Sequence, residues 1–347
     1  MAFFYREAYN VCNKIAANSD EMIDVSIIIC TRDRSSMIEG ALDAIAGSIR
    51  NTPNKMTEII IVDNGSKDTT PQIIRSWHSQ NADMHAIMVH EGKTGLSNAR
   101  NAGVQASNGH LVIFADDDCR MAKDYIAQAV LYDEADISPV IRGGRIELGN
   151  ADDLPLTIKT SNDKETWRKS EHSAKYNTIR GSISGANMVM RRSILDKVGK
   201  FDPLLGVGQK IAGSEDTDYL CRAYLMGIDI EYVPDMTVYH FHGRKKKEDA
   251  HKLLRQYNIG GGAVYFKHML ADFDLFRPFI WNIKCAIREI KTRQNLYLPA
   301  YDFSYRGVVL CNLYGMILYV GLSLKAVLIK KWVPLGKYFF SQKREGY

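Results

Sequence analysis

The chain has 347 residues, 46% hydrophobic and 24% charged, with a formal net charge of +5. This is the composition of an ordinary globular protein, long enough for one large or two modest domains with a real core. The six cysteines (Cys12, Cys30, Cys119, Cys221, Cys285 and Cys311) include no Cys-x-x-Cys pair, which argues against a disulfide framework or a zinc site and fits a reducing cytoplasm. The first twenty-odd residues carry Glu7, Asp20 and Glu21 and lack an apolar core of signal-peptide length, so no secretory signal is expected.

Strand and helix patterns then alternate. Val25–Cys30 predicts a buried strand, followed by the polar turn Thr31-Arg32-Asp33-Arg34 and a helical pattern from Met37 to Ile49. Glu58–Val62 predicts a second strand ending in Asp63-Asn64-Gly65-Ser66, with a helix around Thr70–His78. Ala86–Val89 predicts a third strand and Ser97–Ala106 a helix. Leu111–Ala115 predicts the fourth strand, and Asp116-Asp117-Asp118 follow where it should end. Such alternation implies an α/β fold with an open, mainly parallel sheet and right-handed crossovers. Ligands of such sheets bind beyond the carboxyl ends of the strands. The loops carrying Thr31, Asp63 and the aspartate run are therefore expected around one crevice.

Adjacent carboxylates repel one another unless a cation is near. Hard divalent ions take one or two carboxylates together with phosphate oxygens. The aspartate run therefore reads as a site for a divalent cation and a diphosphate, against the plain alternative of a solvated acidic loop. No G-x-G-x-x-G fingerprint follows the first strand, and no Walker A lysine loop occurs. A dinucleotide oxidoreductase and a P-loop nucleotidase are thereby disfavoured.

Five segments, in order, carry a more specific signal. They are Val25-Ser-Ile-Ile-Ile-Cys-Thr-Arg-Asp-Arg34, Ile61-Val-Asp-Asn-Gly-Ser66, Gly95-Leu-Ser-Asn-Ala-Arg-Asn-Ala-Gly103, Phe114-Ala-Asp-Asp-Asp118 and Gly213-Ser-Glu-Asp-Thr-Asp218. Together they resemble an inverting family two glycosyltransferase with the GT-A fold, over residues 24–243. The resemblance implies a nucleotide-diphosphate sugar as donor, a UDP-sugar first among them, and a glycan or lipid-linked saccharide as acceptor. It places Thr31, Arg34, Asp63, Asn98, Arg100, Asp116 and Asp117 on the nucleotide sugar. It places Asp118 and His240 on a Mn²⁺ or Mg²⁺ ion, and it makes the Glu215-Asp216 pair catalytic with Asp216 as general base. The chemistry agrees, because transfer expels a diphosphate and needs a base for the acceptor hydroxyl. Two other readings stay open: a sugar-phosphate nucleotidyltransferase, and a non-catalytic module that binds nucleotide sugars or nucleic acid. The preferred reading has no nucleic-acid partner.

Plainer roles compete at single positions. Glu215 and Asp216 could serve as helix N-terminal acids after Ser214, with Asp218 supporting the turn. Asp63 could serve the Asn-Gly turn alone, and an arginine such as Arg100 is commonly a surface cation. Gly185–Arg192 and the small residues before it are expected to line the acceptor side. Gly206–Gly213 is expected as a mobile loop over the donor.

The C-terminal third, residues 244–347, is basic: Phe241–Tyr347 holds 19 Lys and Arg against 7 Asp and Glu, whereas the rest holds 26 against 33. Helices are expected over Ala250–Leu270, with Gly260-Gly261-Gly262 allowing a kink or close packing, and over Phe276–Thr292. Gly307–Ile329 is apolar and long enough to span a bilayer. A single span would export the basic tail with Lys330, Lys331, Lys337, Lys343 and Arg344, against the positive-inside rule. Peripheral attachment to an anionic membrane, on the inner face of the plasma membrane, is the preferred expectation, with Trp332 and Tyr338 at headgroup level. Residues 1–23 would form an N-terminal extension.

Overall fold

A computed structural model describes residues 22–170 and 179–328. The expected N-terminal extension and the tail residues Lys330, Lys331, Trp332, Lys337, Tyr338, Lys343 and Arg344 lie outside the described residues, apart from Met22 and Ile23 of the extension. The parallel half of the sheet comprises β1 (Val25–Thr31), β2 (Thr57–Asp63), β3 (His85–His90) and β4 (Leu111–Asp116). The crossover helices are α1 (Ile38–Arg50), α2 (Thr70–Gln80) and α3 (Leu96–Ala106). Every residue of β1 is buried, as expected for a parallel strand covered on both faces. Alternate residues serve opposite layers: Ile27 and Ile29 pack with Leu42 and Trp77, whereas Ile28 and Cys30 pack with Ala99 and Tyr219.

After β4 the chain makes a tight turn at Asp117-Asp118 into β5 (Cys119–Met121). There follow α4 (Tyr125–Ala135), β6 (Val140–Leu148), β7 (Glu165–Trp167), β8 (Asn187–Arg191), α5 (Arg192–Val198), α6 (Glu215–Leu225) and β9 (Asp229–His240). The sheet order is β3-β2-β1-β4-β8-β6-β9-β5, with β7 also on β9. Strands β1 to β4, β6 and β9 run one way, while β5, β7 and β8 run against them. The expected mainly parallel sheet is thus present, and the reversed strands belong to its second half. The register pairs Cys119 with His240. That pairing carries the end of β9 to the aspartate turn.

The C-terminal part is helical: α7 (Lys247–His268), α8 (Arg277–Thr292) and α9 (Tyr305–Leu328). The three consecutive glycines do not break α7; they permit close packing. A Cβ on Gly260 would meet Ser214, one on Gly261 would meet Arg180, and one on Gly262 would strike the Asn312 backbone of α9. Gly315 of α9 stands equally close to the Ile259 carbonyl. The same seam carries a buried bond from Asn312 Nδ2 to the Asn258 carbonyl, 2.6 Å. Glu289 of α8 accepts the Tyr305 and Arg306 amides at 2.9 and 3.1 Å, so a carboxylate caps the positive end of α9. Among the described residues all five cysteines are free.

Replacing Gly315 with Leu should force α9 off α7. Overpacking of this kind costs about 1–3 kcal/mol, so the thermal midpoint should fall and α9 should become sensitive to protease. An unchanged midpoint would mean that the helices do not meet at this seam.

Candidate active site

The site forms where β4 ends. Asp116 is its last residue, and Asp117 and Asp118 make the turn into β5. Arg34, from the loop after β1, reaches both: Nε lies 3.4 Å from Asp117 Oδ1 and Nη2 lies 3.6 Å from Asp118 Oδ2. Burial first, reinforced by Asp118 and only partly opposed by Arg34, pushes the Asp117 carboxyl up to about 7. Asp118 behaves oppositely. Burial would raise it, but His240 and Arg34 outweigh that and hold it below the ordinary carboxylate range.

His240 faces Asp118, with Nε2 3.3 Å from Oδ1. Its other nitrogen, Nδ1, lies 3.1 Å from Thr157 Oγ1. The Thr157 hydroxyl donates its own hydrogen to the Leu156 carbonyl at 2.6 Å. The network assigns a proton to Nδ1, while Nε2 hydrogen-bonds to the Asp118 carboxylate and would turn its lone pair to a cation that came between them. That is the arrangement a metal-ligating histidine needs. Asp118, Cys119 and His240 lie within 4.8 Å of one another. Burial first, reinforced by Asp116, keeps the Cys119 thiol protonated, and its side chain belongs to the apolar layer. Asp118 and His240 are thus the pair suited to a divalent ion. Several neighbouring carboxylates also supply excess negative charge that such an ion would balance.

Arg100 binds the two halves of the site. It is only 2% exposed, so it is not the surface cation its helical position alone would suggest. Nη1 donates to Glu215 Oε1 at 2.9 Å and Nη2 to Asp116 Oδ1 at 3.3 Å. The guanidinium also lies over the rings of Phe114 and Phe201. Glu215 is buried, and burial first, then Asp216, pushes its carboxyl up to about 7 against the pull of Arg100. The acidic pair therefore divides its work. Glu215 is engaged within the protein, whereas Asp216 is the part-exposed carboxylate in a buried turn. Asp216 accepts the Gly185 amide at 3.0 Å and the Thr217 amide at 2.6 Å, which fixes its orientation.

The remaining expected residues form the rim near β1 and β2. Thr31 is buried at the end of β1. Asp63 accepts the Ser66 amide at 3.0 Å and lies 3.4 Å from His90 Nδ1, so the turn chemistry is real and a histidine joins it. Asn98 is half-buried and donates to the Thr94 carbonyl at 3.0 Å.

Neighbouring segments are engaged within the protein. Within the segment expected on the acceptor side, the Asn187 side chain is fully buried, accepting from Tyr125 and donating to the Arg145 and Met236 carbonyls. Its partners sit on three separate strands and helices, which no local pattern displays. The loop over Gly206–Gly213 is anchored to the rest of the fold. Leu205 and Ile211 are buried, Gly206 N bonds to the Ile211 carbonyl, and Leu96 N bonds to the Val207 carbonyl. Ser214 sits at the start of α6 with a left-handed φ of 65° and makes no side-chain cap. His242 turns away to the Leu154 carbonyl at 3.1 Å.

Two contributors escaped the sequence reading. Thr157 lies 83 residues from His240 in the chain, and a lone threonine in a loop gives no signal. In the sequence Arg244 is one cation of the basic run Arg244-Lys-Lys-Lys247. Its Nη1 is buried and, among the described residues, has no hydrogen-bond partner, while its charge acts on both Asp118 and His240.

This geometry agrees with relationships to known proteins. Residues 26–199, half of the chain, match the model of glycosyl transferase family 2. The glycosyltransferase AglE of Haloferax volcanii is 25% identical over 260 residues, 74% of this chain and 77% of that protein. The probable glycosyltransferase YdaM of Bacillus subtilis is 29% identical over 226 residues, 62% of this chain and half of that protein. Among solved structures, the mannosyltransferase PcManGT from Pyrobaculum calidifontis, in complex with GDP-Man and Mn²⁺, superposes with a TM-score of 0.53 at 17% identity. That match covers 91% of this chain and 78% of the other. S. aureus TarS 1-349 in complex with UDP-GlcNAc gives 0.51 at 16% identity, covering 87% and 92%. The sheet, its helices and the acidic cleft define a GT-A-type glycosyltransferase. The chain belongs to glycosyl transferase family 2.

Arg100→Met should leave Glu215 buried without its counter-charge. Breaking a buried pair in this way costs about 3–5 kcal/mol, measurable as a large fall in the urea midpoint. A midpoint within about 0.5 kcal/mol of wild type, the range of surface substitutions, would show that the tie carries no load.

Proposed function

We propose that this enzyme transfers a sugar from a nucleotide-diphosphate sugar, a UDP-sugar first among candidates, to a hydroxyl of a glycan or lipid-linked saccharide, with inversion and with a divalent cation. The observation that carries the reading is the buried Arg100 bridge. It places Asp116, beside the Asp118–His240 pair, and the Glu215-Asp216 pair on one cleft. The solved relatives' complexes with GDP-Man and Mn²⁺ and with UDP-GlcNAc support a donor of this class.

Thr31, Arg34, Asp63 and Asn98 form the rim assigned to the nucleoside, with Asp116 and Asp117 toward the ribose and phosphates. Asp118 and His240 would hold Mn²⁺ or Mg²⁺, which when bound stabilises the negative charge of the departing diphosphate. Arg244, with a buried and unpartnered guanidinium nitrogen, supplies further positive charge to the same end. Asp216 takes the proton of the acceptor hydroxyl, its carboxylate held by the Gly185 and Thr217 amides. One oriented base suits single displacement, which inverts the anomeric centre.

The test separates the two carboxylates. Asp216→Asn should lower kcat for nucleoside diphosphate release by roughly 10²–10⁴-fold while Mn²⁺-dependent UDP binding stays intact. Asp118→Asn should instead weaken that binding and leave the fold unchanged by circular dichroism. Full turnover by Asp216→Asn would remove the base assignment, and unaltered UDP–Mn²⁺ affinity in Asp118→Asn would remove the cation site.

We further propose an acceptor at a membrane surface on the cytoplasmic side. At 100° per residue, Ile280, Ile283, Ile287 and Ile290 of α8 share one stripe, and Arg277, Trp281, Lys284, Arg288 and Lys291 share the next. Trp281 is 58% exposed and Ile290 62%. On α9, Leu310, Leu313, Ile317 and Leu324 are exposed together, and Ile317 is 71% exposed. An apolar stripe edged by basic residues and tryptophan suits an interfacial helix on anionic lipid. The stripe lies within the basic C-terminal region, residues 244–347, where attachment is expected. The full chain should float with vesicles containing phosphatidylglycerol and not with pure phosphatidylcholine. Changing Lys284, Arg288 and Lys291 to Gln should weaken binding by about 10²-fold, at roughly 1 kcal/mol per charge. A chain that floats with neither vesicle would overturn the membrane reading.

A further inference from the structure

Asp218 lies two residues beyond Asp216, and two helical residues turn 200°, so the pair point to opposite sides of α6. Asp216 faces the cleft. Asp218 faces inward and is wholly buried. Its Oδ1 accepts from Lys267 Nζ at 2.8 Å and from His268 Nε2 at 2.9 Å, both at the end of α7. Its Oδ2 accepts from Arg222 Nε at 3.0 Å. Burial alone would raise the Asp218 carboxyl, but Lys267, Arg222 and His268 outweigh it and hold the group well below the ordinary carboxylate range. Burial first keeps His268 below the ordinary histidine value, so it acts as a neutral donor.

Lys267 has a second partner. Its Nζ lies 2.6 Å from Asp202 Oδ2, and the same oxygen accepts from the Tyr319 hydroxyl of α9 at 2.9 Å. Asp202 stands at the start of the segment that runs through Gly206–Gly213 into α6, and its Oδ1 accepts the Leu204 amide at 3.0 Å. One ammonium group thus joins the two ends of that segment. Arg222 Nη1 adds a bond to the Val198 carbonyl at 2.9 Å. The cluster carries two carboxylates against one lysine and one arginine, so its formal charge balances without solvent.

A cluster this buried is costly to desolvate, and apolar side chains of similar volume would commonly serve stability as well. What charged and hydrogen-bonded groups add over an apolar seam is direction. Here the directed contacts fix the rotation of α6 about its axis, and with it the aim of Asp216.

We propose that Lys267 of α7 and Tyr319 of α9 are positioning residues for the catalytic base: through Asp218 and Asp202 they lock the start of α6, so the C-terminal helices are part of the active site's framework as well as its membrane-facing surface. This rests on Asp216 acting as the base. Neither residue touches the cleft, so neither is itself catalytic.

The experiment uses the full chain and reads UDP release from UDP-sugars, UDP–Mn²⁺ affinity, and hydrogen exchange of the α6 amides. Lys267→Met should lower kcat by about 10²-fold, the order expected for a reacting group displaced by an ångström, with UDP–Mn²⁺ affinity unchanged. Lys267→Arg, which keeps the charge, should recover much of the loss. Tyr319→Phe, which removes a hydroxyl and keeps the ring, should fold as wild type. It should lower kcat less than Lys267→Met does, and the amides of residues 215–219 should exchange faster than in wild type while those of β1 and β4 are unchanged. If Lys267→Met fails to fold, Tyr319→Phe alone decides. Faster exchange with unchanged kcat would show a purely structural cluster and overturn the proposal, as would an equal loss of kcat and UDP–Mn²⁺ affinity. The reading on which it depends fails differently: wild-type chain would release no UDP from any donor, or Asp216→Asn would retain full turnover.

Discussion

Much of this molecule follows from burying one guanidinium. An arginine out of water must be met by carboxylates, because an unpaired buried charge is among the most expensive groups a fold can hold. Arg100 is met from two directions, by the end of β4 and by the start of α6, which lies 115 residues further along the chain. Neither acid could move away without stranding the charge. The spacing between the aspartate turn and the part-exposed Asp216 is therefore set by a single side chain on α3. The rings of Phe114 and Phe201 around it keep water out and strengthen both bonds.

The second constraint is a short strand that leaves its parent. After β4 the chain could have continued into a helix, as it does after the first three strands. Instead it turns at Asp117-Asp118, and β5 crosses to pair with the end of β9. That pairing sets Cys119 opposite His240 and brings the imidazole to Asp118. Phe241 N also bonds to the Asp118 carbonyl at 2.8 Å. Side chains opposite one another on paired strands share a face, so register decides which of the two nearby histidines meets the aspartate. His240 does, and His242 serves the loop at Leu154.

The helical C-terminal part has two faces with different physics. Toward the sheet domain it offers Gly260 against Ser214, Gly261 against Arg180 and the Lys267 cluster, which are close contacts. Away from it, α8 and α9 present isoleucine and leucine stripes edged on α8 by basic residues. The first face is built for a fixed geometry. The second has no partner among the described residues.

The sequence by itself determined the alternation of strands and helices, because uniformly buried parallel strands are uniformly apolar and their crossover helices are periodic. It also determined the acidic loops at the strand ends, and its short motifs pointed to the family. Local chemistry writes such features directly: a strand that ends in Asp116, a turn after Asp63, an acidic pair at the start of a helix. What the tertiary structure decided was the direction and partner of each polar group. Arg100 looks like a surface residue until α6 closes over it. Asp218 looks like a helix-start acid until Lys267 arrives from α7. Thr157 and Arg244 gave no sign at all. The physical reason is common to these cases: a buried polar side chain is defined by the groups that desolvate and satisfy it, and here those groups come from distant parts of the chain.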